Sequence, residues 1–241
     1  MRWTVLVSTV GTLLAATAET AHADPLSPSD IGSVIVMGRS LRPSTPDIFG
    51  TVALDAGVTP YGARWRRVSA ADASDPRIRA LGEMVSRTSM DPVARLAAVQ
   101  SEVAQRVDWR RDLDTYRVSD YWAQAGETLN RGAGDSEDIA VLKMQILKAA
   151  GFPARDIYLS IGRDRERGAD TVLLVRVGSE FYTLDDRESR PLLARTQRQF
   201  TPIFTLGKNG SWIHGSRVAT PSSPRSGRGS PRTANVALIT K

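Results

Sequence analysis

The stretch from Asp120 to Asp138 reads DYWAQAGETLNRGAGDSED and offers one hydroxyl in a setting suited to nucleophilic chemistry. Ser136 follows Gly132-Ala133-Gly134-Asp135 and opens an amphipathic run, so it stands at a helix N-terminus. The positive end of a helix favours an anion, and a cysteine there, beside a histidine, would be largely thiolate near neutral pH. The chain has no cysteine, which excludes thiolate catalysis, thiolate metal sites and disulfides. A serine hydroxyl does not ionise in that position. It needs an adjacent base to take its proton during attack. The chain has two histidines, His22 and His214.

The elements that must position Ser136 follow from periodicity. Asp135 is a good N-cap, and Glu137 and Asp138 suit the positive end of the helix dipole. Ile139, Leu142, Ile146, Leu147 and Ala150 form an apolar stripe that Gly151 ends. Upstream, Ile78, Leu81 and Val85 predict a helix over 76–88. Asp91-Pro92 starts another, with Val93, Leu96, Ala97, Val99, Val103 and Val107 as its apolar face. Trp109 to Asp120 is polar and reads as a loop. After Pro153 the pattern becomes strand-like: 157–161, 171–177 and 181–184, with Gly178-Ser179 as a hairpin turn. Two further strands are expected at 203–206 and 212–214, joined by a turn at Lys208-Asn209-Gly210. Helices first and an antiparallel sheet second predict an α+β domain.

The N-terminus reads as a secretory signal peptide over 1–23. Arg2 supplies the charge, Val5 to Ala18 the apolar run, and Ala21-His22-Ala23 the small-residue cleavage site. Residues 24–60 read as an extended leader with an apolar patch at Val34–Met37, able to add one strand. The domain proper is expected over 61–215. Residues 216–241 read as a disordered basic tail, and no transmembrane segment is expected after signal removal. The tail carries Arg217, Arg225, Arg228, Arg232 and Lys241 and no acid, so most of the net charge of +6 resides there. This is a solvated end rather than a specific nucleic-acid surface.

The blocks Asp120-Tyr121-Trp122, Glu127-Thr128-Leu129, Gly132 to Asp138 and the helix with Lys143 and Leu147 resemble the bacterial transglutaminase-like cysteine proteinases. Asp170-Thr171-Val172-Leu173, Leu184-Asp185-Asp186, Thr201 to Phe204 and Trp212 fit the same pattern, so the resemblance covers roughly 61–215. It implies a papain-like or transglutaminase-like fold, N-terminal helices packed on an antiparallel sheet, and a periplasmic protease with a Cys-His-Asp triad. The family nucleophile falls on Ser136, its histidine on Asp170 and its aspartate on Asp185. Two of the three are changed. A carboxylate near pKa 4 is a weak base and cannot become a cation that protonates a leaving group. His214 is expected at the rim or surface, able to approach the site only from the last strand.

Some relatives of this type release surface adhesins and need calcium. The resemblance places their acidic ligands on Asp135, Glu137, Asp138 and Asp186, where the family's asparagine is typical at the last. Oxygen ligands of this kind suit Ca²⁺. Trp122 reads as core beside the cleft, and Glu127 as a residue that positions the loop before Ser136. The expectation is a periplasmic or secreted binding or regulatory module with a protein partner or polypeptide in the cell envelope. Two alternatives stand beside it: a hydrolase using Ser136, and a scaffold working through its basic tail.

Overall fold

The computed structural model describes residues 43–44, 48–70, 75–217 and 236–238. The expected signal peptide, the Val34–Met37 patch and most of the basic tail lie outside the described residues.

Two short strands, β1 (Pro43–Ser44) and β2 (Val52–Asp55), precede three helices, α1 (Gly62–Ser69), α2 (Pro76–Thr88) and α3 (Pro92–Ala104). Then come β3 (Asp108–Trp109), α4 (Asp112–Thr115), α5 (Ala125–Arg131), β4 (Ala133–Gly134) and α6 (Ser136–Ala149). The remaining strands are β5 (Ile157–Asp164), β6 (Gly168–Val177), β7 (Glu180–Leu184), β8 (Leu192–Leu193), β9 (Phe200–Gly207), β10 (Gly210–Arg217) and β11 (Val236–Leu238).

Local chemistry explains the helix starts. Asp75 accepts from Arg77 N, and Asp91 accepts from Val93 N and Ala94 N, each ahead of a proline at the first helical position. The large sheet runs β1-β2-β10-β9-β5-β6-β7-β8, antiparallel throughout, with β11 also paired to β10. Alternate side chains point to opposite faces of such a sheet. Leu159, Ile161, Leu173, Val175 and Leu206 pack with the helices, whereas Tyr158, Leu174, Ala53 and Trp212 form a second cluster.

Helix α6 is the axis of the domain. It contacts β5 and β6 as well as α1, α2, α3 and α5. The one-sided stripe expected from the sequence is therefore too narrow. Ala140, Val141 and Met144 are buried too, and so are the polar Lys143 and Gln145. Lys143 Nζ donates to the carbonyls of Leu184 (3.2 Å) and Asp185 (3.1 Å), and burial lowers its pKa to about 8. Gln145 Nε2 donates to the carbonyls of Val68 (2.7 Å) and Ala70 (2.8 Å) at the end of α1. Gly151, with φ of 88°, takes the left-handed step that ends the helix.

Candidate functional site

The site is built where β4 runs into α6. Trp109 and Gly134 pair in a two-residue parallel bridge, and Arg110 N donates to Gly134 O at 2.8 Å. A Cβ at Gly134 would stand 2.7 Å from the Asp138 Cβ and 2.9 Å from its Oδ2. Only a glycine lets the first turn of α6 fold this closely on its own approach strand. The stretch expected to be loop from Trp109 to Asp120 thus supplies part of a bridge and the four-residue α4, which is how it brings side chains to the site.

Ser136 is buried, the first residue of α6 after its N-cap Asp135. Its hydroxyl accepts from the Trp109 indole N–H (3.3 Å) and from Arg167 Nη1 (3.3 Å), and donates to Asp186 Oδ2 (3.2 Å). The Arg167 guanidinium lies 5.2 Å from the Trp109 ring centre and 2.9 and 3.0 Å from the two Asp186 oxygens. Asp170 sits next to this pair, its side chain 1% exposed and 3.7 Å from Arg167.

A second guanidinium closes the network. Arg187 Nη2 lies 2.8 Å from Asp164, 3.0 Å from Asp185 and 3.5 Å from Asp170. Two arginines therefore face four aspartates. Arg187 lowers the Asp164 pKa to about 2 through its hydrogen bond. Burial raises Asp170 to about 6, with Asp185 and Asp186 adding to the rise and the neighbouring Ser136 hydroxyl opposing it. Burial also raises Asp186. Asp185 is pushed up by burial but ends below its ordinary value because Arg187 binds it by side chain and backbone. Sequence reasoning placed Ser136, Asp170 and Asp185 together, and the fold brings all three to this cleft. It missed Arg167 and Arg187. The available signals were the charge-alternating run Arg163-Asp164-Arg165-Glu166-Arg167 before Asp170, and an arginine directly after Asp185-Asp186.

A separate acidic cluster lies on the other side of the α6 start. Asp112, Asp135 and Asp138 can bring one carboxylate oxygen each within 4.8 Å of one another, and so can Asp112, Asp120 and Glu137. Three of the expected metal ligands, Asp135, Glu137 and Asp138, thus fall in this cluster. Asp186 is instead held by Arg167 and Ser136. Asp112 and Asp120 join the cluster without having been foreseen, since they stood in a segment read as loop.

Backbone donors use one oxygen of three of these groups: Tyr121 N to Asp112 Oδ2 (2.5 Å), Ala123 N to Asp138 Oδ1 (2.6 Å) and Asp138 N to Asp135 Oδ1 (3.4 Å). Asp112 Oδ1, Asp138 Oδ2 and Asp120 Oδ1 are buried with no hydrogen-bond partner. Burial first, and mutual repulsion after it, raises Asp112, Asp135 and Glu137 and lifts Asp138 to about 7. Arg64, 2.8 Å from Asp120, is the cation that reaches the group. Orphaned buried carboxylate oxygens converging from three chain segments fit a hard divalent cation such as Ca²⁺.

His214 is neither a rim nor a surface residue. It is 1% exposed, its Nε2 is 2.8 Å from Thr205 Oγ1 and its Nδ1 2.7 Å from Thr51 Oγ1. Burial lowers its pKa to about 4, so it is a neutral core group at physiological pH with both ring nitrogens engaged. The physical reason is its strand position. It shares a sheet face with Trp212, and a neighbouring hydroxyl at Thr205 bonds Ser160 as well (3.2 Å). Trp122 is core as expected, stacked on Tyr61 at 5.7 Å. Glu127 closes the capping box of α5 by accepting from Gln124 N at 2.7 Å and also accepts from the Tyr121 hydroxyl, which ties down the loop leading into α5.

A polar cleft between a helix N-terminus and the ends of an antiparallel sheet, with its side chains supplied in the order helix, strand, strand, defines an α+β protein of the papain-like and transglutaminase-like type. The model of the bacterial transglutaminase-like cysteine proteinases (BTLCP) matches residues 56–214, and the chain belongs to that family. Solved structures similar to it include Legionella pneumophila LapG in its calcium-bound and EGTA-treated forms. Both share 27% identity over 63% of this chain, covering 86% and 84% of theirs, with TM-scores of 0.49 and 0.48. A transglutaminase crystal structure aligns over 52% of this chain and 36% of its own at 10% identity, with a TM-score of 0.36. No curated protein matches the chain.

Proposed function

We propose that this protein is an exported, catalytically silent member of its family, a binding or regulatory module that takes up calcium and engages a polypeptide of the cell envelope. The observation that carries the reading is the occupancy of the cleft around Ser136. In place of an imidazole, the hydroxyl has Arg167 and Asp186 as its partners. Arg167 is a permanent cation that accepts no proton. Asp186 receives the serine hydrogen bond while ion-paired with that arginine, and although burial raises its pKa it stays a carboxylate committed to the guanidinium. Asp170 is tied to both arginines. Asp170, raised to about 6, comes nearest to a histidine in basicity, but the serine hydroxyl is directed at Asp186, and no group here becomes a cation that hands a proton to a leaving group as a catalytic histidine does.

Calcium would be held by Asp112, Asp120, Asp135, Glu137 and Asp138. When bound it supplies positive charge that lets these carboxylates ionise together and fixes the loop before α5 to the start of α6. The exposed Trp109, Leu113 and Val118 support a binding role, since they place large apolar side chains on the segment that carries Asp112. Among the described residues no helix is long and apolar enough to cross a membrane. The signal-peptide reading makes the protein periplasmic or secreted.

The test is a calorimetric titration of calcium into the metal-stripped chain from Asp24 onward, beside a fluorophosphonate labelling experiment. Saturable calcium binding that Asp138→Asn abolishes, with Ser136 unlabelled, is the expected pair of results. Labelling of Ser136 that depends on a folded chain would return the protein to the working hydrolases. Absence of calcium binding would reduce the acidic cluster to a helix cap.

A further inference from the structure

A second concave site lies at the other end of α6, near Lys148, about 18 Å along the helix from Ser136 at 1.5 Å per residue. Its volume is about 460 Å³, within the range of small-molecule sites. The lining divides into two chemically distinct parts. Trp65, Met144 and Ile157, all buried residues, give it an apolar floor. Arg66, Lys148 and Lys208 stand around it, and among the described residues no aspartate or glutamate lines it.

These three cations come from different elements: α1, α6 and the turn between β9 and β10. None of them takes part in an ion pair among the described residues. Lys148 Nζ donates to the Ser69 carbonyl at 2.7 Å, which anchors its amine beside the end of α1. Capping of α1 accounts for Lys148 and for Arg66 in the last turn of that helix. It does not account for Lys208, which belongs to no helix and adds a like charge beside a half-buried amine. Burial and then Lys208 lower the Lys148 pKa to about 8, as uncompensated positive charge would.

We propose that this cavity binds a small organic anion, a phosphate or carboxylate group carried on a flat apolar ring. The ring lies over Trp65, Met144 and Ile157, and the anion meets Lys148, Lys208 and Arg66. The site is independent of the acidic cluster and of the reading given to Ser136, and it holds whether or not calcium binds.

The probes are phenyl phosphate, benzoate and inorganic phosphate, titrated into the full metal-free chain with indole fluorescence and calorimetry as readouts. Phenyl phosphate is expected to saturate at millimolar concentration or below, at least tenfold tighter than inorganic phosphate. Lys148→Gln/Lys208→Gln is expected to weaken it about tenfold or more. Lys208→Gln alone, at an exposed turn position, keeps the wild-type melting curve and is expected to weaken binding several-fold. Benzoate binding that the same variants weaken widens the ligand class to carboxylates, and benzoate silence narrows it to phosphate esters. The proposal is overturned if neither aromatic anion saturates, if inorganic phosphate binds as tightly as phenyl phosphate, or if the lysine variants keep wild-type affinity.

Discussion

Replacing Arg167 by methionine isolates the charge balance of the cleft. Methionine keeps much of the volume that covers Trp109 and removes the guanidinium. Asp186, whose side chain is 5% exposed, and Asp170, at 1%, then lose a cation at 2.9 and 3.7 Å. Breaking a buried ion pair from one side costs about 3–5 kcal/mol. Arg167 is itself 27% exposed, so solvent screens part of the interaction and about 2 kcal/mol is the reasonable expectation. For a domain of this size that lowers Tm by roughly 4–8 °C. The sign with pH is definite. Asp170 at about 6 and Asp186 are both raised, so the folded state holds protons that the unfolded chain has released. Their contribution to stability is therefore greatest in acid and is lost as pH rises through the folded pKa values. Without Arg167 that loss is deeper, so the variant suffers most at pH 7.5 and little at pH 5. Urea denaturation at the two pH values measures it. A double-mutant cycle with Asp186→Asn should show at least about 1 kcal/mol of coupling. Equal destabilisation at both pH values, or a variant within about 0.5 kcal/mol of wild type at pH 7.5, would refute the claim that this arginine neutralises the cleft.

Calcium affinity should fall as pH drops from 8 to 6, because Asp138, raised to about 7, must lose its proton to bind the ion; calorimetry at both pH values checks this, and an unchanged affinity would remove Asp138 from the ligand set. His214 should make the fold acid-labile. With a folded pKa near 4 against about 6.5 unfolded, it costs up to about 3 kcal/mol of stability as pH falls through that window. A His214→Gln chain should show a flatter stability profile between pH 6.5 and 4, measured by urea melts. The double reversion Ser136→Cys/Asp170→His should yield no peptidase activity even though the helix N-terminus and Arg167 favour a thiolate at 136; measurable turnover of a peptide substrate would contradict this.

Much of the fold could be read from the chain because it is signalled locally. Asp91-Pro92 and Asp135 announce helix starts, Gly151 announces an end, and period-two runs mark β5 to β7. Helix α1 was missed because it begins at a glycine and buries only Trp65 and Val68. Helix α5 was missed because its seven residues contain Gly126 and depend on the Gln124–Glu127 capping box and on packing against α6. Sheet neighbours distant in sequence were harder still. Strand β2 pairs with β10 from within the segment read as leader. At the site, family positions brought out Ser136, Asp170 and Asp185. Arg167 and Asp112 stayed hidden because their roles depend on where the β5–β6 hairpin and α4 place them, which no local pattern encodes.

The start of α6 carries two groups of carboxylates, and they are neutralised by different means. One faces Arg167 and Arg187, fixed charges that the chain itself supplies. The other has buried oxygens without partners and, among the described residues, an ion pair to Arg64 alone at its edge. This division is the ground for expecting that cysteine and histidine at positions 136 and 170 do not by themselves give activity. A histidine at 170 would stand beside two guanidiniums now 3.7 and 3.5 Å from the aspartate there. Those cations disfavour an imidazolium, against the opposing pull of Asp185 and Asp186. A thiolate at 136, favoured by the helix N-terminus and Arg167, would then pair with the guanidinium rather than with an imidazolium. The asparagine typical of the family at position 186 cannot balance Arg167 as Asp186 does. Ser136, Asp170, Asp186 and Arg167 therefore act as one electrostatic unit, and the expectation is that a peptidase built on this cleft needs the arginine removed as well as a cysteine and a histidine introduced.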